Sequence, residues 1–423
     1  MIDCCLIYLP KPYLKQPDAQ QPLGLMYIAS VLQEMGKSVE LKNYTTYSPN
    51  KLLCDLPEAR LYGITATSLE IPEANRTAKI IKLKYPDSKI IIGGPGTCAE
   101  EYIDRKYIDM VCQGEGEEVI KSVFTYLRYE QPLNFRPQPI NVNNIPLPAR
   151  GLLETQGGNI FAYNKNYKGD KSTVILFSRG CPYKCAFCSA PMLNNRKIRF
   201  RDPSMVAAEI KYVIKKYGIY QFRFSDDMFT ASKKRVIELC EKIGHLGIYW
   251  RVSCRVKPID REMLEIMHQS GCKELSFGIE SFDNNVLNGL NKNATTIDNV
   301  KAIELAKDIG FTTRLLFMIR TPFQTPATIE INKDWIKRLP FDIIACTAFI
   351  PIPGCDIWYN PDKYNIEILD RDLDKYNFYM YGPDGRRPID PIIKIKSRSL
   401  DEFTQESEDF RDWIEEIGKV NRG

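Results

Sequence analysis

Two blocks of strand–helix alternation, separated by a stretch rich in proline and asparagine, set the fold class before any motif is considered. In the first block, residues 4–9 form a short apolar run of strand length. Leu25, Ile28, Ala29 and Leu32 then recur at i, i+3, i+4 and i+7, the spacing of an amphipathic helix, and Gly36 ends it. Strands are predicted at 38–44, 61–66, 89–92 and 108–112, and a helix over 72–85 with Pro72 in its first turn. From about residue 131 the chain reads as a linker. The second block opens with a strand at 173–177, and strands recur near 221–225, 249–254, 273–279, 312–319 and 343–349. Asp202-Pro203 is a cap and first-turn pair for a helix whose buried stripe is Val206, Ile210, Val213 and Ile214. Strands that alternate with helices form parallel sheets. The expectation is therefore an α/β chain. Residues 1–135 form a doubly wound, Rossmann-like domain, 136–165 link, and 166–355 form a parallel partial barrel of six strand–helix units. The last stretch, 356–423, loses the rhythm. It holds an aromatic run at 376–381, a turn at Gly382-Pro383-Asp384-Gly385 and a terminal amphipathic helix lined by Leu400, Phe403, Phe410, Trp413, Ile414 and Ile417.

Bulk properties narrow the class. Of 423 residues 44% are hydrophobic and 26% charged, enough for a sizeable core. The net charge of +5 gives no case for nucleic acid. No apolar run has the length of a bilayer span, and the N-terminus begins as a strand, without the pattern of a secretory leader. The 13 cysteines are odd in number and scattered, which suits reduced thiols and a cytoplasmic protein.

The strand at 173–177 runs into Ser178-Arg179-Gly180-Cys181-Pro182-Tyr183-Lys184-Cys185-Ala186-Phe187-Cys188. Cys181, Cys185 and Cys188 stand at C-x3-C-x2-C. Three thiolates can hold three irons of a [4Fe–4S] cluster and leave the fourth open to another ligand. A closed zinc site needs a fourth Cys or His, and none follows at ligand spacing; a zinc knuckle or chance cysteines are the plainer alternatives. Barrel chemistry lies at the carboxyl ends of strands, where this loop begins. Ser225-Asp226-Asp227 ends the next strand. The acidic pair suits an ammonium, or is a plain solvated loop. Ser253 and Arg255 share one strand face, and the Arg fork suits a carboxylate or a rim ion pair. Glu280 closes a further strand. In the first block Gly93-Gly94-Pro95-Gly96 and Gly114-Glu115-Gly116-Glu117 follow strands, and glycines there permit close backbone approach or serve turns. The basic run 196–201 reads as a solvated face or an anion patch. His245 and His268, the two histidines, read as surface or packing residues.

In this order, the motifs resemble the radical SAM enzymes, and within them the branch with a cobalamin (B12)-binding domain. The likeness rests on the cysteine spacing with Phe187 before its last cysteine, Gly278-Ile279-Glu280-Ser281, and Pro351-Ile352-Pro353-Gly354. It rests equally on Pro22-Leu23-Gly24-Leu25, Ile92-Gly93-Gly94-Pro95, the Gly-Glu-Gly-Glu run, and the linker's Pro146-Leu147-Pro148-Ala149-Arg150. One stretch departs: Phe317–Phe323 lacks the glycines of the family's Gly-x-Pro-Gly-Glu-Thr run, so the adenine contact is not carried over. The resemblance implies a [4Fe–4S] cluster on Cys181, Cys185 and Cys188. It implies S-adenosylmethionine (SAM) contacts at Phe187, Ser225, Asp226, Asp227, Ser253, Arg255 and Glu280. It implies cobalamin contacts at Leu23, Gly24, Ser68, Leu69, Glu70, Gly93, Gly94, Pro95, Gly96, Gly114 and Glu115. The implied reaction methylates an unactivated carbon, one SAM methylating cobalamin and another yielding a 5′-deoxyadenosyl radical. Rearrangement, cyclisation or oxidation without methyl transfer is the alternative, and a non-catalytic iron–sulfur or corrinoid-binding module the competitor from another class. An electron donor such as flavodoxin or ferredoxin and a small-molecule or peptide substrate are implied partners, with residues 356–423 covering the substrate. Cys4, Cys5, Cys54, Cys98 and Cys112 lack cluster spacing, which argues against a methylthiotransferase. No histidine precedes residue 245, so none in the first domain would ligate cobalt.

Overall fold

Every strand pairing in the two large sheets is parallel, as alternation with helices requires. The computed structural model describes residues 1–14, 17, 21–129, 131–155, 171–193, 195–381 and 391–417. They divide into Met1–Tyr163 with Leu373–Asn377, and Asn164–Asp372 with Phe378–Gly423.

In the first unit, β1 (Ile2–Tyr8), β2 (Val39–Asn43), β3 (Ala59–Thr65), β4 (Lys89–Gly93), β5 (Met110–Cys112) and β6 (Leu133–Phe135) stand in the order β2-β1-β3-β4-β5-β6. The order reverses between β1 and β3, so crossovers of one hand place helices on both faces. These include α1 (Leu23–Glu34), α2 (Ile71–Lys84) and α3 (Gly116–Val123). Residues 4–8 of β1 are all buried, which is why that strand reads as an unbroken apolar run. Cys4 and Cys5 lie among them as small apolar side chains, and burial pushes both thiols far up. The edge strand β6 falls where composition suggested linker. Its three residues are too few for a periodic signal.

In the second unit, β7 (Ser172–Ile175), β8 (Gln221–Phe224), β9 (Tyr249–Cys254), β10 (Cys272–Glu280), β11 (Thr312–Ile319) and β12 (Ile343–Ala348) follow one another across the sheet in chain order. The crossovers are α4 (Pro203–Tyr217), α5 (Lys233–Ile243), α6 (Arg261–Gln269), α7 (Thr296–Ile309) and α8 (Pro326–Arg338). Sequential order with one crossover hand keeps every helix on the same face and leaves the other face as the lumen of a partial barrel. Strand β11 records the two faces. Thr313, Leu315, Phe317 and Ile319 are fully buried, while Thr312, Arg314, Leu316 and Met318 keep partial exposure. On the helix side, Phe224, Phe229 and Trp250 pack with ring centroids 5.1–5.4 Å apart. Helix α4 starts where Asp202 accepts the Ser204 N–H at 2.7 Å. Gly218 ends it at φ +66°, a left-handed position suited to glycine.

The terminal helix α9 (Leu400–Glu416) belongs to the outer layer too. Phe410 packs on Phe317 at 5.8 Å, so this helix covers the outside of β11 and not the lumen. Its buried face is Phe403, Ser407, Phe410, Arg411 and Ile414, with Leu400, Trp413 and Ile417 only half-buried. The aromatic run forms a helix, Leu373–Tyr381, and the expected turn at 382–385 lies outside the described residues.

Candidate active site at the carboxyl ends of β7 to β11

The cysteine loop leaves β7 and is pinned at its base by Asp226. One Asp226 oxygen accepts the Phe177 N–H at 3.2 Å, and the other takes the Ser178 N–H and, at 2.6 Å, the Ser178 hydroxyl. Asp226 is buried, and burial is the main cause that pushes its carboxyl up to about 7, against the pull of these donors. It is a clamp on the loop. Its neighbours Ser225 and Asp227 are exposed, and Asp227 accepts the Gly180 N–H at 3.2 Å. Further along, Cys188 N–H closes a turn on the Cys185 carbonyl at 3.2 Å.

A second clamp comes from residues 290–292. The Leu290 carbonyl accepts the Ala186 N–H at 2.9 Å, and Asn291 donates to the Lys184 carbonyl at 2.9 Å. Asn291 and Asn293 hold φ +52° and +53°, left-handed values that asparagine tolerates better than most residues. They present Lys292 inward, where Nζ lies 2.6 Å from Glu280 Oε1 in a buried ion pair and 5.7 Å from the Phe187 ring. Sequence reasoning missed Lys292. The signal available was an Asn-Lys-Asn turn, visible but uninformative without knowing what it faces. Glu280 itself sits at φ +64°, an uncommon value for a glutamate.

Among the described residues Arg255 forms no ion pair, and it is not aimed at open space. Its Nη1 donates to Cys185 Sγ at 3.1 Å, its other terminal nitrogen donates to the Lys292 carbonyl, and its Cζ lies over the Tyr183 ring, 3.8 Å from the centroid. A flat guanidinium can stack and donate at once, which lysine cannot. Its Nε is buried with no hydrogen-bond partner among the described residues. Ser253, on the same strand face, is half-buried and lumen-facing.

The three cysteines lie on one loop at the carboxyl edge of β7, with Arg255 donating to Cys185, and three thiolates are a donor set that suits an iron–sulfur cluster. Burial pushes the Cys181 thiol up and the Cys188 thiol up to about 11, so as free thiols they are protonated. Metal coordination would deprotonate them, and Arg255 supplies a cation against that negative charge.

The remaining predicted residues find other duties. In the basic run, Arg201 is buried and paired with Glu209 at 2.8 Å, and it donates to the Leu176 carbonyl at 2.7 Å. Arg320 and Phe323 hold φ +59° and +68° in the loop that lacks glycine. That loop is held by Arg320 to Glu408 at 2.5 Å and by the Arg320 N–H to Gln324 at 2.9 Å.

The first unit gathers its candidates at one edge. Leu23 and Gly24 open α1, Ser68, Leu69 and Glu70 follow β3, Gly93 ends β4 and Gly94–Gly96 follow it, and Gly114 and Glu115 follow β5. These are the carboxyl ends flanking the reversal between β1 and β3, where doubly wound sheets bind ligands. A Cβ added at Gly24 would meet nothing within 4 Å, which leaves backbone open for approach. At Gly94 and Gly96 the need for glycine is internal. A Cβ would come within 2.7 Å of Thr65 Oγ1 and 2.4 Å of the Thr67 carbonyl oxygen, because the loop after β4 nests on the loop after β3. Glu70 also serves the fold, capping the Thr67 N–H at 2.7 Å and pairing with Lys11 at 2.5 Å. Glu115 accepts the Ile140 N–H at 2.8 Å.

The three cysteines stand at the carboxyl edge of a six-stranded partial barrel, and residues 175–336, which include them, match the Radical SAM superfamily model. Residues 17–124 match the B12 binding domain model. The chain therefore carries a B12-binding domain and, after it, a radical SAM domain. It is 29% identical over 411 residues to an uncharacterized methyltransferase of Pyrococcus horikoshii, covering 91% of this chain and 85% of that one. It is 27% identical over 382 residues to the anaerobic magnesium-protoporphyrin IX monomethyl ester cyclase of Rubrivivax gelatinosus, covering 84% of this chain and 65% of the cyclase, just under two thirds of its length. In fold it matches the radical SAM methyltransferase TsrM of Kitasatospora setae, solved with cobalamin and a [4Fe–4S] cluster. The TM-score is 0.74 at 15% identity, over 99% of this chain and 91% of that one. Among the described residues no helix is long and apolar enough to cross a membrane.

Proposed function

We propose that this chain is a cobalamin-dependent radical SAM methyltransferase acting on an unactivated carbon of a small-molecule or peptide substrate. The observation that carries the reading is the convergence on one edge of Cys181, Cys185, Cys188, Arg255 and the Glu280–Lys292 pair. Cys181, Cys185 and Cys188 would hold a [4Fe–4S] cluster, with Phe187, Ser225, Asp227, Ser253 and Glu280 around SAM. In the first unit, the open edge around Leu23, Gly24, Ser68, Leu69, Gly93, Pro95, Gly114 and Glu115 would take cobalamin. Bound there, these groups supply a carbon-centred radical and a transferable methyl group.

The chain's own part is to hold and shield. Asp226 and the 290–292 turn fix the loop, so its sulfurs keep their places without a fourth ligand. Arg255 places positive charge against Cys185, which stabilises added negative charge on reduction. Glu280 can accept from an ammonium while Lys292 neutralises it. Holding reactants in register in a dry lumen is most of what a cofactor enzyme's protein contributes. A flavodoxin or ferredoxin would deliver the electron, in a cytoplasmic setting.

The likeness to the cyclase favours a second reading, oxidation or ring closure without methyl transfer. Methyl-labelled SAM separates the two. Label in the product supports methylation; 5′-deoxyadenosine formed with an unlabelled, oxidised product supports the cyclase-type reaction.

A further inference from the structure

The lumen below the proposed SAM site carries charge that the reading above does not use. Arg223 on β8, Arg251 on β9 and Glu274 on β10 are register neighbours, and Arg314 on β11 stands opposite Ser276. All four share the lumen face with Ser253 and Glu280, because side chains two residues apart on a strand point the same way. Arg251 reaches Glu274 at 3.1 Å and Arg314 reaches it at 3.6 Å. One carboxylate thus serves two guanidiniums, and Arg223 has no hydrogen bond or ion pair among the described residues. Neutral polar residues on that face include Ser172, Gln221, Ser253, Ser276 and Thr312.

A structural floor should not look like this. A cation taken out of bulk water is costly unless paired, and Arg223 faces two further guanidiniums, Arg251 and Arg314, while the ion pairs of Glu274 go to those two. Burial, then repulsion from Arg251 and Arg314, pushes Arg223 down to about 10. Arg223 and Arg314 both keep partial exposure, so the lumen reaches them. Four residues of strand separate Arg251 from Arg255, ~13 Å at about 3.3 Å per residue. The charge is set well below the cysteine loop.

We propose that Arg223, with Arg251 and Arg314, binds an anionic oxygen group of the substrate, a carboxylate or a phosphate, inside the lumen. The substrate is then an elongated anion whose charged end anchors it while the carbon to be attacked stays near the mouth. Guanidinium forks match both anions bidentately. The assignment rests on the enzymatic reading only in calling the bound group part of a substrate; anion binding itself is independent of it.

The test is anaerobic titration calorimetry of the reconstituted enzyme with inorganic phosphate and, separately, acetate, at constant ionic strength kept with chloride. Wild type should bind at least one of them at one site, and the tighter of the two identifies the group. R223Q should weaken that binding at least tenfold, R223K should restore part of it, and iron content and circular dichroism of both variants should match wild type. Equal binding in wild type and R223Q, or no binding of either anion by wild type, overturns the proposal. SAM cleavage measured on wild type alone tests the enzymatic reading, so the two can fail separately.

Discussion

Replacing Asp226 by alanine tests whether the cysteine loop is built by a buried clamp. The substitution leaves the Phe177 and Ser178 N–H groups and the Ser178 hydroxyl without their acceptor in a site closed to water. A buried donor left unsatisfied costs about 1–3 kcal/mol. Two backbone donors, with the hydroxyl free to turn elsewhere, give about 4 kcal/mol. A unit of this size shifts its melting point by about 2–4 °C per kcal/mol, so the second unit should melt about 8–16 °C lower. Ser178 is three residues from Cys181, so iron per chain after anaerobic reconstitution should fall as well. The assay is an anaerobic melt followed by circular dichroism, with iron and sulfide analysis of the same sample. A D226A protein that melts within about 2 °C of wild type and takes up full iron would show that the loop holds itself, and the clamp argument would fail.

Three further outcomes are expected. Asp226 is protonated up to about pH 7 in the folded chain but only to about pH 4 when unfolded, so folding takes up a proton between those limits. The melting point of the wild-type apoprotein relative to D226N should therefore fall as pH rises from about 4 to about 7; a flat difference across that window contradicts the buried carboxyl. R255Q removes the guanidinium at Cys185 and should lower the cluster's midpoint potential by about 60 mV, a tenfold change for a one-electron couple. Redox titration followed by electron paramagnetic resonance checks it, and an unmoved midpoint refutes it. With no histidine in residues 1–244, 15N-histidine labelling should leave the resonance of bound cob(II)alamin unchanged, and altered hyperfine splitting would reveal a histidine ligand.

Much of the architecture could be read from periodicity because each strand is short, apolar and bounded by turn residues. The strand over 312–319 was predicted with the bounds that β11 has, and the shared face of Ser253 and Arg255 followed from the two-residue repeat. What periodicity cannot carry is long-range pairing. Neither the reversal between β1 and β3 nor the sequential order of β7 to β12 is a local property. The same limit hid the site's supports. Asn291 bonds Lys184 from 107 residues away, and Glu408 reaches Arg320 from 88. Asp226 shows the same limit, because sequence gives its acidic chemistry and not the Phe177 and Ser178 donors that lie on it. Arg320 and Phe323 are a further case. The missing glycines there left only the adenine contact without support, and sequence did not show that left-handed non-glycine residues, held by the terminal helix, shape the loop. Lumen charge was invisible for a related reason: Arg223, Arg251 and Arg314 lie 28 and 63 residues apart and meet only across paired strands.

The central claim is that three cysteine sulfurs hold a cluster with one iron left for SAM, and electron paramagnetic resonance of the reduced, anaerobically reconstituted protein tests it directly. Adding SAM should change the g values of a [4Fe–4S] signal that is present in wild type and lost in C185A. A signal indifferent to SAM, or a C185A protein with its cluster intact, would contradict the account.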